Sequence, residues 1–299
     1  MKNINGQTQI FGILGQPIAH SLSPLFQNMF FEKAAINACY VPYLVAPEQL
    51  QQALNGLHAA HVQGLNITIP HKENILPWVH PDKDAQTIGA VNTLKRIADG
   101  WAAINTDWQG FASVIQGLEV DICQTSVLLF GAGGTSRAIL HALNHLGVQE
   151  VFICNRNQER AQSLAAELQG TYEGMRITPI EWHEQHVTIA LKQCQLIINS
   201  TSIGLNEQDI FPFPLSGSGF AIDAVYKPHG NTVFCQSASN YVSVDGLPML
   251  IAQGIASFAF WLEGEQQNAA LCLPNKKSSL QWVEQALERQ ALSLPGWEK

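Results

Sequence analysis

In the middle of this chain, between an apolar run and an amphipathic stretch, stands Gly131-Ala132-Gly133-Gly134-Thr135-Ser136. The run before it, Val127-Leu128-Leu129-Phe130, reads as a buried strand. The stretch after it repeats Ala138, Ile139, Ala142, Leu143 and Leu146 at helical spacing until Gly147 stops the helix. Strand, glycine turn and helix N-terminus together form a pyrophosphate cradle. Missing Cβ atoms let backbone approach the phosphates, while free N–H groups and the helix dipole hold the charge. Residues 1–130 come before it, enough for a separate folding unit that supplies a substrate site.

With 299 residues and 46% apolar content, the chain can bury two cores, which predicts two domains. A formal charge of −8 argues against nucleic acid and against an anionic membrane surface as partners. An anionic small ligand must then be caught by hydroxyls, helix ends or single arginines. The six cysteines (39, 123, 154, 194, 235 and 272) contain no C-x-x-C pair, which favours reduced thiols in a cytosol. The first residues carry no signal-peptide apolar core, and the richest apolar run, 258–262, is far too short to span a bilayer. The expectation is a cytoplasmic protein whose partner is a small molecule.

Before the glycine turn, strands are predicted over 9–14, 40–45 and 64–70, alternating with helices over 24–35 and 47–60, which implies a largely parallel sheet. Residues 94–97 and 101–104 flank Ala98-Asp99-Gly100, a hairpin signal that makes the first sheet mixed. A helix over 108–118 leads into the second domain. Beyond the turn, strands are predicted over 151–154, 196–199 and 220–224, then helices over 248–263 and 278–291. The fold class is α/β: a mixed-sheet domain, then a Rossmann-like domain, then C-terminal helices that return to the first.

The end of the second strand in such a unit reports the cofactor. An NAD site places Asp or Glu there, about 20 residues after the first glycine, to bind the ribose 2′-hydroxyl. Here the strand runs into Asn155-Arg156-Asn157 and then Arg160, with no acid. A guanidinium binds a 2′-phosphate that a carboxylate would repel, which points to NADP. The alternative is that Arg156 and Arg160 are solvated surface charges.

Four segments near predicted strand ends of the first domain combine small polar residues with a charge. They are His20-Ser21-Leu22-Ser23-Pro24, Asn66-Ile67-Thr68-Ile69-Pro70-His71-Lys72, Gly89-Ala90-Val91-Asn92-Thr93-Leu94 and Asn105-Thr106-Asp107. Ligands of open α/β sheets bind at the carboxyl ends of strands, so these residues can converge. With the glycine turn, Asp223-Ala224-Val225-Tyr226-Lys227-Pro228 and the Gly-Leu-Pro-Met-Leu-x-x-Gln segment ending at Gln253, the chain resembles the shikimate dehydrogenase family from about residue 10 to Gln253.

The resemblance implies a substrate-binding and catalytic domain over 1–107, an NADP-binding domain over 108–246, and C-terminal helices over 247–299 that pack on the first. It implies that Lys72 and Asp107 are the catalytic pair, and that Ser21 and Ser23 hold the shikimate carboxylate. Thr68, Asn92, Asp107 and Gln253 would meet the ring hydroxyls, with Tyr226 closing over the ligand. Gly131, Ala132, Gly133, Gly134 and Thr135 would hold NADP together with Asn155, Arg156 and Arg160, while Ala224 and Gly246 would line its nicotinamide end. The implied activity is interconversion of 3-dehydroshikimate and shikimate on the way to chorismate and the aromatic amino acids. A homodimer is compatible with this reading.

The chemistry asks for these residue types independently. Oxidising an alcohol needs a hydride acceptor and a group to take the hydroxyl proton; in reverse an ammonium can protonate the alkoxide. Plainer roles exist: Ser21 suits a helix cap, Asp107 suits a cap on 108–118, and a single Lys72 suits the surface. His141 with His145, and His183 with His186, have no carboxylate or cysteine in ligand spacing, so no metal is expected. The 258–261 aromatics suit core. Trp108, Asn157 and Pro248 depart from the residues usual in the family. Two other readings stay open: an NAD-using quinate/shikimate dehydrogenase, and a slow paralogue acting as a nucleotide-dependent binding module.

Overall fold

The structure, a computed structural model, describes residues 4–264, 274–289, 292 and 294–297. Cys272, and the last residues expected of the C-terminal helix, 290 and 291, lie outside them. The chain divides into two units, Met1–Gly110 with Leu250–Val283, and Phe111–Met249 with Glu284–Lys299.

The first unit begins with β1 (Gln9–Gly15), α1 (Ser23–Lys33), β2 (Ala38–Leu44), α2 (Leu50–Ala59) and β3 (Gly64–Ile67). It continues with α3 (His71–Asn74), β4 (His80–Pro81), α4 (Lys83–Ile88), β5 (Thr93–Ile97) and β6 (Gly100–Ile104), before α5 (Asp107–Leu118). Its sheet has the order β2-β1-β3-β5-β6-β4. β5 is antiparallel to both β3 and β6, so the Ala98-Asp99 hairpin makes the sheet mixed as expected. One face buries Leu14, Leu50, Leu54, Leu65, Ile67, Leu94 and Trp101. The other carries an aromatic cluster of Phe11, Phe31, Phe258 and Trp261, with Phe11–Phe31 centroids 4.7 Å apart and Phe31–Phe258 5.1 Å apart. Phe258 and Trp261 are thus core.

The second unit starts with β7 (Ser126–Phe130), α6 (Gly134–His145), β8 (Glu150–Cys154), α7 (Gln158–Gln169), β9 (Arg176–Ile180) and α8 (Glu184–Leu191). After these come β10 (Cys194–Asn199), β11 (Gly219–Asp223), α9 (Val233–Ser237) and β12 (Tyr241–Val244). Every strand pair in its sheet, β12-β11-β10-β7-β8-β9, is parallel. Phe130 anchors the core under it, with Phe211 and Phe213 at 5.1 and 6.0 Å. The edge strands β9 and β12 have no counterpart among the predicted strands. Pro179 interrupts the β9 pattern, and an edge tolerates it because one side of the strand needs no ladder.

α10 (Leu247–Trp261) and α11 (Lys276–Ala286) close the chain. α11 as far as Val283 belongs to the first unit, where the Lys33 ammonium sits 3.5 Å over the Trp282 ring. From Glu284 onward the chain belongs to the second unit instead, because Arg289 reaches Asp245 at 2.7 Å and Trp297 Nε1 donates to Ser113 O at 2.9 Å. Among the described residues no helix is long and apolar enough to cross a membrane.

Candidate active site

Strand register explains why the polar segments of the first unit gather. Leu14 pairs with Ile67, Asn66 with Thr93, and Thr93 with Ile104. The carboxyl ends of β1, β3 and β6 therefore share one sheet edge with the start of β5. Ser21 and Ser23 follow β1, Thr68 follows β3, Asn92 precedes β5, and Asn105-Thr106-Asp107 follow β6.

At this edge Lys72, on α3, donates from Nζ to Asp107 Oδ2 at 2.6 Å, the two side chains being 13% and 8% exposed. A charge pair this far from water survives only if its remaining hydrogen-bonding capacity is met. Asn92 Nδ2 donates to the other oxygen, Asp107 Oδ1, at 2.8 Å, and Asn105 Oδ1 accepts from Asp107 N at 3.0 Å. The Lys72 carbonyl accepts from Val91 N at 2.9 Å, and the neighbouring His71 ring nitrogen Nε2 meets Val45 O at 2.9 Å. Both the backbone and the tip of Lys72 are thereby fixed.

Asn92 is the hub. Its Oδ1 accepts from Thr106 N at 2.7 Å, and its Nδ2 lies 3.2 Å from Gln253 Oε1 on α10. Thr106 Oγ1 also reaches Gln253 Oε1, at 3.3 Å. Behind them Ser257 Oγ meets Thr93 and Thr106 hydroxyls at 2.8 and 3.1 Å and accepts from Asn66 Nδ2 at 3.0 Å, while Tyr40 OH donates to Asn66 Oδ1. Lys72, Asp107, Asn92 and Gln253 are thus brought into one connected network. Tyr40, Asn66, Thr93, Thr106 and Ser257 support it, and sequence reasoning gives none of them a role. Ser257 lies one helical turn after Gln253 in an otherwise apolar helix, and that polar break is the signal that could have found it.

Ser23 is buried, and its backbone N–H donates to Ser21 Oγ at 3.3 Å. Ser21 thus serves the turn leading into α1 while standing at the same edge as Thr68. Asp107 opens α5, yet both its carboxylate oxygens are engaged by Lys72 and Asn92.

In the second unit, Gly131 takes φ +116°, where a Cβ would meet Ser200 Oγ at 2.5 Å. Its N–H donates to Cys154 O at 2.9 Å, turning the chain off β7. Gly133 caps α6 and donates to Ser136 Oγ at 3.0 Å; Ser136 and Ser200 hydroxyls meet at 2.8 Å, and Ser200 Oγ donates to Phe130 O at 2.7 Å. These serines, also without a role in the sequence reading, brace the loop. Ala132 lies in the same turn and Thr135 at the start of α6, whose first N–H groups have no partners within the helix.

Asn155 follows β8 and donates to Asn157 O at 2.8 Å, while Asn157 Oδ1 caps α7 by accepting from Arg160 N at 3.0 Å. Arg156 and Arg160 are exposed. Arg160 Nη2 lies 3.8 Å from where a Cβ of Gly133 would stand, the nearest atom to that position. An opening bounded by a glycine backbone, a helix N-terminus and a guanidinium suits a phosphorylated nucleotide. Arg137, by contrast, makes a two-pronged pair with Glu167 at 2.7 Å and 2.7 Å. Ala224 and Gly246 follow the neighbouring strands β11 and β12 and stand together: a Cβ on Gly246 would meet Ala224 O at 2.3 Å. Tyr226, partly buried, comes just beyond.

The histidines act locally. His141 Nδ1 meets Tyr172 OH at 3.2 Å, His183 caps α8, and His186 lies 3.4 Å from Glu181. Among the described residues no cluster of three or more His, Cys, Asp or Glu could hold a metal ion. The five described cysteines are free thiols, and burial pushes Cys154, Cys194 and Cys235 up to about 12.

Comparison with known proteins bears directly on this arrangement. Residues 13–94 match the model of the shikimate dehydrogenase substrate binding domain, and residues 114–205 that of shikimate / quinate 5-dehydrogenase. The chain is 38% identical over 264 residues to a shikimate dehydrogenase (NADP(+)) of Aquifex aeolicus, covering 86% of this chain and 93% of that one. For the shikimate dehydrogenase (NADP(+)) of Thermosynechococcus vestitus the identity is 36% over 273 residues, covering 88% and 93%. A solved shikimate 5-dehydrogenase of Thermus thermophilus, in complex with NADP(H) and shikimate, superposes with a TM-score of 0.78 at 30% identity, over 94% of this chain and 100% of that one. Two consecutive domain matches and identity sustained over most of the length place the chain in the shikimate dehydrogenase family.

Proposed function

We propose that this protein reversibly reduces 3-dehydroshikimate to shikimate with NADP(H), a step toward chorismate and the aromatic amino acids. The observation that carries the reading is the Lys72 ammonium held 2.6 Å from Asp107 inside a network of neutral amides and hydroxyls. A binding module gains nothing from a sequestered ion pair, whereas an alcohol–ketone interconversion needs a positioned proton donor. NADP, when bound, supplies or accepts the hydride. The residues that would hold it are Gly131, Ala132, Gly133, Gly134 and Thr135 at the α6 N-terminus, Asn155, Arg156 and Arg160 at the 2′-phosphate, and Ala224 and Gly246 at the nicotinamide.

During reduction Lys72 gives its proton to the oxygen of the carbonyl being reduced, and during oxidation it takes the proton back from the hydroxyl. Asp107 holds the ammonium in place and keeps a compensating charge beside it. Asn92, by fixing the second oxygen of Asp107, prevents the carboxylate from turning away. Gln253, Thr68 and Asn92 supply amide and hydroxyl groups for the ring hydroxyls, Ser21 and Ser23 take the substrate carboxylate, and Tyr226 contacts the ligand. The neutral groups suit a polyhydroxylated ring because each buried hydroxyl requires a partner.

A steady-state assay crossing shikimate and quinate with NADP and NAD tests the reading. The expected result is high kcat/KM for shikimate with NADP alone. Comparable turnover of quinate with NAD would assign the chain to the quinate-using side of its family. Nucleotide binding without turnover of either acid would assign it a binding role.

A further inference from the structure

Directly after α11, residues 287 and 288 form a turn. Arg289 N donates to Glu284 O at 2.9 Å, and Leu292 N donates to the Glu284 carboxylate at 2.8 Å. This turn directs the Arg289 guanidinium inward, where Nη1 donates to Lys227 O at 2.9 Å and Nη2 to Asp245 Oδ2 at 2.7 Å. The Arg289 and Asp245 side chains are 8% and 6% exposed, so this is a buried pair rather than a solvated one. The second oxygen of Asp245, Oδ1, accepts from Leu247 N at 3.1 Å.

The two acceptors belong to different segments. Lys227 lies just beyond the end of β11, and Asp245 directly follows β12. The strands are parallel neighbours with Ile222 opposite Val244, so both segments leave the sheet at its ligand-binding end. Gly246 N donates to Val225 O at 2.9 Å and is the one backbone hydrogen bond joining them among those described. Arg289 adds a second tie from a distant part of the chain. A planar fork serves the carbonyl and the carboxylate from two nitrogens held at a fixed spacing, whereas a lysine meets its acceptors from one rotatable atom and sets no such spacing.

We propose that Arg289 is a positioning residue for the nicotinamide end of the NADP site, its guanidinium tying the segment that carries Ala224 and Tyr226 to the segment that carries Gly246. This rests on the functional reading above, in which those residues meet the nicotinamide and the substrate. A tail anchor alone would need only the carboxylate. The second prong, on the carbonyl of the residue after Tyr226, is what sets the spacing of the two segments.

The full-length protein, Arg289→Met and Arg289→Lys are compared by titration with NADPH and with adenosine 2′,5′-bisphosphate, which has the 2′-phosphate end but no nicotinamide, and by kcat and thermal unfolding. In Arg289→Met, kcat should fall about 10- to 100-fold and NADPH affinity several-fold, because small misplacements of reacting groups carry large rate losses. The bisphosphate should bind as it does to the parent. Arg289→Lys, which keeps the charge but loses the fixed two-nitrogen spacing, should fall between the two. Parallel loss of both nucleotides would make Arg289 a general stabiliser of the unit and overturn the proposal, as would unchanged kcat and NADPH affinity in Arg289→Met. If Arg289→Met does not fold, Arg289→Lys and Asp245→Asn decide the matter by the same contrast between the two nucleotides. A parent protein that binds neither nucleotide sinks the NADP reading itself, and the role of Arg289 with it.

Discussion

Asp107 divides its carboxylate between a cation and an amide: Oδ2 accepts from Lys72 Nζ at 2.6 Å and Oδ1 from Asn92 Nδ2 at 2.8 Å. The two contacts fix the plane of the carboxylate, and through it the position of the ammonium. Asn92 is itself fixed by Thr106 and by Gln253. The group proposed to transfer the proton and an amide proposed to bind the ring are therefore set by one network, not by two independent side chains.

Lys72→Ala should lower kcat by at least about 100-fold while leaving shikimate affinity largely intact, since a general acid–base group contributes mainly in the transition state. Asp107→Asn should also lose turnover, because it removes the charge that holds the ammonium. The double variant should lose little more than the worse single one, as expected for groups that act as a unit. Steady-state kinetics of the three variants checks this; near-normal turnover in Lys72→Ala would rule out the mechanism.

The cofactor preference is checked at Arg156 and Arg160. NADP should be used with much higher kcat/KM than NAD, and Arg156→Ala should remove most of the gap. Charge-assisted contacts to a phosphate contribute about 1.5–3 kcal/mol, which is roughly 10- to 150-fold in affinity. Use of NAD should hardly change, since NAD offers no 2′-phosphate. Arg160, whose guanidinium stands over Gly133, should behave similarly. Both arginines are exposed, so added salt should weaken NADP binding more than NAD binding. Equal efficiency with the two cofactors in the parent protein would count decisively against this assignment.

The parts legible in the sequence are those whose signal is local. The β7–glycine–α6 unit announces itself because Gly131 needs a positive φ and the flanking periodicities change from strand to helix. The β5–β6 hairpin is marked by Ala98-Asp99-Gly100. The strands β9 and β12 are hidden because both are short edge strands, one carrying Pro179 and the other alternating Tyr241, Val242, Ser243 and Val244 over only four residues. The network behind Asn92 is half visible: Asn66, Thr93 and Thr106 lie in segments marked by their polarity, yet only the register of β3, β5 and β6 shows that they face one another. Nothing local marks Arg289. Its acceptors lie 44 and 62 residues away in sequence, and its departure with the tail to the second unit is a wholly tertiary fact.

Thr106→Val tests whether that network matters beyond the Lys72–Asp107 pair. The substitution keeps the shape but removes a hydroxyl that meets Asn92, Gln253 and Ser257, leaving buried partners short of a hydrogen bond. The expected cost is about 1–3 kcal/mol of stability by denaturant titration. KM for shikimate should rise more than KM for NADP, since Gln253 loses a contact that orients it. Thr106→Ser restores the hydroxyl and should recover the shikimate KM; if it does not, the hydroxyl is not what orients Gln253.

Asp223 gives the protein a pH-dependent stability distinct from its catalysis. Burial pushes this carboxyl up to about 7, against the opposing pull of hydrogen bonds from Thr232, Val225 N and Asn199, and the nearby Asp245 charge pushes the same way as burial. Between the ordinary carboxylate range and about 7, Asp223 is protonated in the folded chain and ionised in the unfolded one. The unfolded state then binds fewer protons, so stability falls as pH rises through that window and levels off above it. Below the window both states are protonated and the penalty is absent. Asp223→Asn keeps an oxygen for the Asn199 and Val225 contacts, at 2.8 and 2.9 Å, but cannot ionise. Denaturant titrations from about pH 5 to about pH 8 should therefore show the parent losing stability relative to Asp223→Asn as pH rises, with the variant's advantage greatest at the alkaline end. Parallel curves for the two proteins across that range would mean that Asp223 does not titrate there.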